Sequence, residues 1–248
     1  MKTSCVALSW KTATIAPMQG MKNRLNVFVF AILAGAAIAL GGTLFIMAKA
    51  WIPDNPYISA SLVGSLLFPV GLLLVCYLKL NLYTGKIGMA FRNKKLDKKG
   101  LNVFEWLFII LIGNAVGAFA IGFLIYGLTF IDQGSSFSVA VASTGHSRAM
   151  AFDFENIFNM SYKSVLCGML VYIAIYLFNR LPNHFGKVVG VVVPISFFVF
   201  CGFQHCVANM FYIAASGEWN ANAFVGLLIC ILGNSLGALA LDLFVKYE

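Results

Sequence analysis

Long apolar runs dominate this sequence and restrict what it can fold into. Six such runs follow one another, each of at least about 18 residues, which is enough to cross the roughly 30 Å hydrocarbon core of a bilayer as a helix. Only 10% of the 248 residues are charged, whereas soluble domains carry about 25%, and the charges gather between the runs. The chain is therefore predicted to be an all-α integral membrane protein.

The six predicted transmembrane helices cover residues 25–49, 57–91, 101–130, 161–181, 188–215 and 221–245. Polar residues from Lys79 to Gly85 interrupt the second helix, and the stretch around His205 interrupts the fifth. Backbone that is not helical is tolerated at membrane depth only where it is buried in protein or lines a cavity. Both broken helices are therefore expected to contribute to a functional site.

Charged residues in the loops predict the orientation of the chain. The loop at 92–99 carries five basic residues and one acidic residue, residues 180–187 form a second basic turn, and the loop at 131–159 is serine-rich and slightly acidic. Because cytoplasmic loops are enriched in lysine and arginine, both termini are predicted to be cytoplasmic. We attribute the net charge of +8 to this topology, in a bacterial inner membrane or plasma membrane, and expect no nucleic-acid partner.

The sequence predicts a single transmembrane channel domain built from two related halves. An N-terminal cytoplasmic segment (1–24) is followed by a first repeat (25–130), an external loop (131–160) and a second repeat (161–248). Each repeat has three spans, an odd number, so the halves are predicted to be inserted with opposite orientation. In such folds the broken helices of the two halves meet near the midplane.

Two kinds of internal similarity support this repeat. The motif Gly-Asn-x-x-Gly-Ala occurs at residues 113–118 and 233–238, where small residues allow close helix packing and the asparagine is available to bond backbone freed in the neighbouring break. Three residue pairs lie 125 positions apart: Pro69 and Pro194, Cys76 and Cys201, and Thr84 and Asn209. Because the interrupted spans of the two halves are expected to meet near the midplane, Thr84 and His205 should face one another.

His205 is the main candidate for a functional residue within the spans. A polar group at the bilayer centre costs roughly 2–3 kcal/mol or more, so it is a functional hypothesis by default. Half-helices beginning near Thr84 and Cys206 would point their positive ends towards the centre and favour an anion. The apolar walls expected from Phe68, Leu72, Leu82 and Phe198 would form constrictions that hydrated ions cross poorly.

Other functions remain open at this stage. A neutral-solute channel of aquaporin or ammonium type would also suit a narrow apolar pore. An intramembrane enzyme or haem carrier is disfavoured, because the spans contain one histidine and no serine–histidine–acid grouping. Cys201 and Cys206 flank His205, but their spacing is not typical of a metal site, and no metal or cofactor is expected.

Two motifs resemble those of the formate/nitrite transporter family. Residues 82–85, Leu-Tyr-Thr-Gly, resemble its Leu-x-Thr-Gly/Ser loop, and residues 202–210 resemble its Gly-x-x-His-x-x-Ala-Asn-Met stretch. The resemblance implies a homopentamer of aquaporin-like protomers in the lipid bilayer, each passing small monovalent anions such as formate, nitrite, hydrosulfide, acetate or lactate. By the same resemblance His205 is the central histidine, Thr84 and Asn209 are its polar neighbours, and Leu82 and Phe198 are constriction residues.

The sequence departs from the family pattern where acidic residues are usual. Asn81, with Lys79 two residues earlier, stands before the Leu-x-Thr motif, and Gln204 stands before the histidine. We include Lys79 and Asn81 in the expected substrate pathway, and the loss of acids favours attraction of anions over supply of protons. The lysine that the family carries on the outer side before the fourth span has two candidate counterparts, Arg148 and Lys163.

Overall fold

A computed structural model of the protein describes residues 24–52, 57–90, 102–149 and 153–245, and these segments contain ten α-helices. In chain order they are α1 (Arg24–Trp51), α2 (Ala60–Leu67), α3 (Pro69–Tyr77), α4 (Tyr83–Ala90), α5 (Val103–Ile131), α6 (Ser136–His146), α7 (Phe154–Arg180), α8 (His184–Phe200), α9 (Cys206–Ser216) and α10 (Ala221–Val245).

Five helical stretches in the described segments are long and apolar enough to cross a membrane: α1, α5, α7, α10 and the run Ala60–Tyr77. That run contains α2 and α3, with Phe68 between them in helical geometry. The run is divided at this point because Pro69, in the first turn of α3, has no N–H to donate to the preceding turn. Helices α8 and α9 are shorter apolar helices. The apolar character of the whole set agrees with a multi-pass membrane protein.

The chain leaves the helical path in the same way at residues 78–82 and 201–205. The second residue of each segment has a positive φ, 55° at Lys79 and 67° at Gly202. The N–H of the next residue donates to the carbonyl five residues earlier: Leu80 N to Val75 O and Phe203 N to Phe198 O, each at 2.9 Å. This is the hydrogen bond that closes a Schellman-type helix end. These two turns end α3 and α8 and aim the chain into α4 and α9.

The matching turns correct the register of the repeat. Lys79 is structurally equivalent to Gly202, so in this region the offset between the halves is 123 residues, not the 125 expected from the sequence. The pairings of Cys76 with Cys201 and of Thr84 with Asn209 are therefore wrong. The Leu82 carbonyl accepts from Lys86 N as the His205 carbonyl accepts from Asn209 N, so Leu82 is the counterpart of His205.

Close helix pairs hold each half together. Helix α1 packs along α5, and α7 packs along α10. A Cβ atom added at Gly35 would overlap the backbone of Asn114, and one added at Gly168 would overlap the backbone of Asn234. The small residues of the Gly-Asn motifs and their partners therefore let the two backbones approach closely, as predicted.

The helix ends define two faces of the bundle. Arg24 pairs with Glu105 at 2.9 Å, which joins the starts of α1 and α5, and the Tyr77 and His184 rings stack at 6.3 Å on the same side. We call this side the Arg24 end. The Trp51 end, on the opposite side, contains α6 and the C-terminus of α9.

The region predicted as an external loop is more helical than expected. Helix α6 lies within residues 131–159, and its N-cap is Ser135, whose hydroxyl accepts from Ser138 N. Helix α7 begins seven residues before the predicted start at Ser161, capped by Asp153. His146 and His184, which were expected in loops, are the last residue of α6 and the first of α8. The basic loop at 92–99 and the segment 1–23 lie outside the described residues.

We expect Gly117→Ala to destabilise the protein and Gly127→Ala, in the same helix, to leave its stability unchanged or increase it. A methyl group at Gly117 would overlap the Ile32 carbonyl, whereas one at Gly127 would meet no atom. Overpacking costs about 1–3 kcal/mol, and removal of an unneeded helical glycine gains up to about 1 kcal/mol. Thermal unfolding of the purified variants in detergent measures both effects, and equal melting temperatures would contradict the packing assigned to α1 and α5.

Candidate functional site

Asn114 of α5 bonds the backbone freed where α4 begins. Its side-chain oxygen accepts from Tyr83 N at 2.7 Å, and its amide nitrogen donates to the carbonyls of Ala31 and Asn81, each at 2.8 Å. Tyr83 N lies in the first turn of α4, so it has no acceptor within its own helix. One buried amide thus satisfies three backbone groups in the interior of the bundle.

Asn234 of α10 does the same for α9. Its oxygen accepts from Cys206 N at 2.9 Å, and its nitrogen donates to the carbonyls of Ser164 and Gln204, each at 2.8 Å. The prediction that the motif asparagines bond freed backbone is confirmed in both halves. Each buried backbone group left without a partner would cost about 1–3 kcal/mol, so each asparagine determines the geometry of its break.

His205 lies at the start of α9 and contacts Thr84 of α4, as predicted. The two side chains are 3% and 1% exposed, and His205 Nε2 lies 2.9 Å from Thr84 Oγ1. His205 Nδ1 accepts a hydrogen bond from Ala208 N at 3.2 Å and so caps α9. Because the Ala208 N–H can only donate, Nδ1 carries no proton in this arrangement, and the neutral ring holds its proton on Nε2.

A small cavity adjoins this pair. Eight side chains line it: Ile38, Phe68, Leu72, Leu82, Val171, Ile195, Phe198 and His205. All except His205 are apolar, and the space has room for about one water molecule. The structure therefore brings His205 together with the four predicted constriction residues.

Aromatic packing fixes one wall of the cavity. Phe198 packs edge-on against Phe68 with ring centroids 5.8 Å apart, and it stacks on the His205 imidazole at 6.0 Å and 26°. Because Phe198 touches both rings, it separates His205 from Phe68. A shift of this one side chain would change both the width of the cavity and the position of its polar group.

Three lining residues were missed by the sequence analysis. Ile38 of α1, Val171 of α7 and Ile195 of α8 are single apolar residues within long apolar helices. Nothing in the pattern distinguishes them from residues that face lipid or another helix. Ile38 and Val171 complete the wall from two unbroken helices, and Ile195 adds to the part formed by α8.

Four predicted pathway residues do not line the cavity: Thr84, which lies behind His205, and Lys79, Asn81 and Asn209. Lys79 is exposed, and the Asn81 amide donates to the carbonyl of Val27 at 3.3 Å. The Asn209 amide donates to Gln204 Oε1 at 2.8 Å and lies 3.8 Å from the sulfur of Cys230. Asn81 and Gln204, the residues found where the family usually has acids, therefore both bond within the protein.

The Trp51 end carries two cations close to α9. The Arg148 guanidinium lies over the Tyr212 ring at 5.5 Å, and its Nε is buried without a hydrogen-bond partner in the described residues. Lys49 is its electrostatic neighbour and lies 3.5 Å from the Thr144 hydroxyl. Lys163, the other candidate for an outer cation, lies on α7 with its Nζ 6.0 Å from the Tyr162 ring.

We expect Asn234→Ala to unfold or strongly destabilise the protein, whereas Asn222→Ala, in the same helix and partly exposed, should not. The first change leaves the buried N–H of Cys206 without an acceptor, at about 1–3 kcal/mol, and also removes the hydrogen bonds to the carbonyls of Ser164 and Gln204. Size-exclusion profiles and melting temperatures in detergent measure the outcome. If Asn234→Ala has the same melting temperature as the Asn222→Ala control, the stabilising role assigned to the Asn234 hydrogen bonds is wrong.

Comparisons with known proteins agree with these features. The family model described as formate/nitrite transporter matches residues 11–247. The chain is 32% identical over 257 residues to the uncharacterized transporter YrhG of Bacillus subtilis, covering 96% of this chain and 91% of that protein. It is 31% identical over 238 residues to a probable formate transporter of Methanothermobacter thermautotrophicus, covering 86% and 84%.

The fold is also shared with a solved structure described as a pentameric formate channel with formate bound. The TM-score is 0.73 at 21% identity, and the match covers 92% of this chain and 97% of that one. The resemblance seen in the two broken-helix motifs is thus confirmed over nearly the whole sequence. The chain is a multi-pass membrane protein of the formate/nitrite transporter family, a family of channels and transporters and not of enzymes.

Proposed function

We propose that this protein is a homopentameric channel for small monovalent weak-acid anions and that each protomer contains its own pore. Formate is the first candidate, because a relative and a structural neighbour are named for it. Nitrite and hydrosulfide belong to the same class. The observation that carries the proposal is the His205–Thr84 pair beside a cavity that is otherwise apolar.

In this proposal Thr84, which lies behind the His205 ring and does not itself line the cavity, contacts the anion when the anion reaches the His205–Thr84 pair. The Nε2 proton of neutral His205 is donated to Thr84 Oγ1, so the threonine hydroxyl is free to donate its own proton to that anion. A hydrogen bond to a charged group contributes about 1.5–3 kcal/mol. His205 thus orients and polarises the donor.

The same geometry argues against His205 as a ready source of protons. Loss of the Nε2 proton from the neutral ring would leave an imidazolate, and a proton added at Nδ1 would have to break the bond from Ala208 N. A permeant that crosses as the neutral acid would therefore take up its proton outside the cavity. Under this mechanism His205 supplies a hydrogen bond and not a proton.

The surroundings of the cavity suit an anion and exclude hydrated ions. Helices α4 and α9 both begin beside it, which directs their positive dipole ends towards the centre. No carboxylate from the described residues lines the space. An ion that keeps its water shell would pass the apolar constrictions only at a high cost in free energy. These constrictions are formed by Phe68, Leu72, Leu82 and Phe198.

The proposed topology follows the sequence prediction. Helices α2 to α4 form one interrupted span and α8 with α9 form another, which gives six spans in two inverted halves. The Arg24 end and both termini are cytoplasmic, in a bacterial inner membrane or plasma membrane. Arg148, with Lys49 beside it, then lies at the external mouth and attracts anions there.

Flux into proteoliposomes tests the function and the role of the polar pair. We expect formate, nitrite and hydrosulfide to cross, and Thr84→Val to reduce formate flux about tenfold or more because the donor is lost. His205→Ala should reduce it as well. Thr43→Val is the matched control, because the Thr43 hydroxyl donates to Ala39 O within α1.

Three outcomes of this experiment would count against the proposal. Absence of flux for every small anion would contradict the channel function. Flux that ignores the charge of the solute would indicate a neutral-solute channel. Unchanged formate flux in both Thr84→Val and His205→Ala would remove these residues from the pathway while leaving the channel function intact.

We expect Val171→Ala to raise the ratio of acetate to formate flux. The substitution removes two carbon atoms from a wall with room for about one water molecule, so the larger anion gains more than the smaller one. A mismatch of about one methyl group in a tight site changes selectivity about tenfold. Val191→Ala, at a buried position in α8 that does not line the cavity, is the control, and equal ratios in the two variants would contradict the size limit.

A further inference from the structure

Lys86 lies one helical turn from the cavity wall. Its backbone N–H donates to the carbonyl of Leu82 at 3.0 Å, and Leu82 lines the cavity. Helix α4 runs parallel to α10, from the contact of Tyr83 with Ser235 to that of Gly88 with Ala238. Helix α10 in turn runs parallel to α7, which ends next to the start of α8 at the Arg24 end, so α4 continues towards that end. Lys86 therefore lies about 5 Å beyond the wall, on the side of the Arg24 end.

The helix faces that line the cavity continue into Cys76 and Lys86. Cys76 lies four residues after Leu72 in α3, and Lys86 lies four residues after Leu82 in α4, so each shares a helix face with a residue that lines the cavity. Lys86 is therefore placed just below the constriction formed by Leu72 and Leu82.

The charge of Lys86 has no acidic partner among the described residues. The ion pairs there join Arg24 to Glu105 and His146 to Glu218. Lys86 is only partly exposed, within a half-helix that begins at the middle of the bundle. A lysine in that position is costly unless it meets an anion or a water-filled space.

The second half of the protein has no equivalent cation. In the register of 123 residues the counterpart of Lys86 is Asn209, whose N–H donates to the His205 carbonyl as Lys86 N donates to that of Leu82. The Asn209 amide is neutral and bonded to Gln204. The two mouths of the cavity are therefore electrostatically different at the first turn.

We propose that Lys86 forms a binding site for a small monovalent anion at the cytoplasmic mouth of the cavity. This inference rests on the proposed channel function and adds a site to it. The Lys86 ammonium concentrates anions below the constriction between Leu72 and Leu82, so that loading of the cavity from this end depends on its charge. Anions that arrive from the Trp51 end meet Lys49 and Arg148 instead.

Single-channel formate currents in planar bilayers test this site, because each inserted channel has one orientation and the two current polarities report the two mouths. We expect Lys86→Met to lower the current of one polarity about fivefold at low ionic strength, as loss of a nearby unit charge in water predicts. High salt should remove most of the difference by screening. Lys86→Arg should keep the wild-type current.

Lys187→Met is the matched control, since Lys187 lies in the first turn of α8 on the same side of the protein, with its Nζ 5.3 Å from the centre of the Phe178 ring. Equal currents in Lys86→Met and Lys187→Met, or a loss that is the same for both polarities and at all salt concentrations, would overturn the site. If Lys86→Met does not fold, Lys86→Gln gives the same comparison. A wild-type channel without formate current would refute the proposed function itself, whereas a conducting wild type with an unaffected variant refutes only the Lys86 site.

Discussion

The fold depends on satisfying backbone groups where two helices break inside an apolar bundle. Lipid offers no hydrogen bonds, so each break must be closed by the protein itself. A Schellman-type turn closes the end of α3 or α8, and a single asparagine from α5 or α10 then bonds the first N–H of the next half-helix and two nearby carbonyls. The positions of Thr84 and His205 follow from these bonds, and so does the cavity.

Two halves with the same backbone plan differ in the side chains that they present. Leu82 and His205 are equivalent by hydrogen bonding, and both line the cavity. The first half thus supplies a wall and the second supplies the polar group. Two residues after Leu82, Thr84 of the first half forms a hydrogen bond with His205 of the second half. The polar pair therefore exists only when both repeats are in place, although each break could close by itself.

Much of this arrangement could be predicted from the sequence, since the Gly-Asn motifs and the polar interruptions are strong local signals. The register of the repeat could not. Identical residues at Cys76 and Cys201 suggested an offset of 125. The residue with positive φ in the first turn is Lys79, and a lysine does not indicate such a turn in a sequence, whereas a glycine would have done so. The lining residues Ile38, Val171 and Ile195 also gave no signal, because an apolar side chain in an apolar helix reads the same whether it faces lipid or a pore.

Charge placement decides whether the proposed pore binds an anion or lets it pass. A deep cationic well at the centre would hold the anion, because conduction requires binding that is weak enough to be reversed. Here the cations Lys86, Lys49 and Arg148 lie beyond the cavity, and the centre offers a neutral hydroxyl polarised by a neutral imidazole. Attraction at the mouths raises the local anion concentration, while the single hydrogen bond offsets only part of the dehydration cost. This combination favours rapid passage over retention.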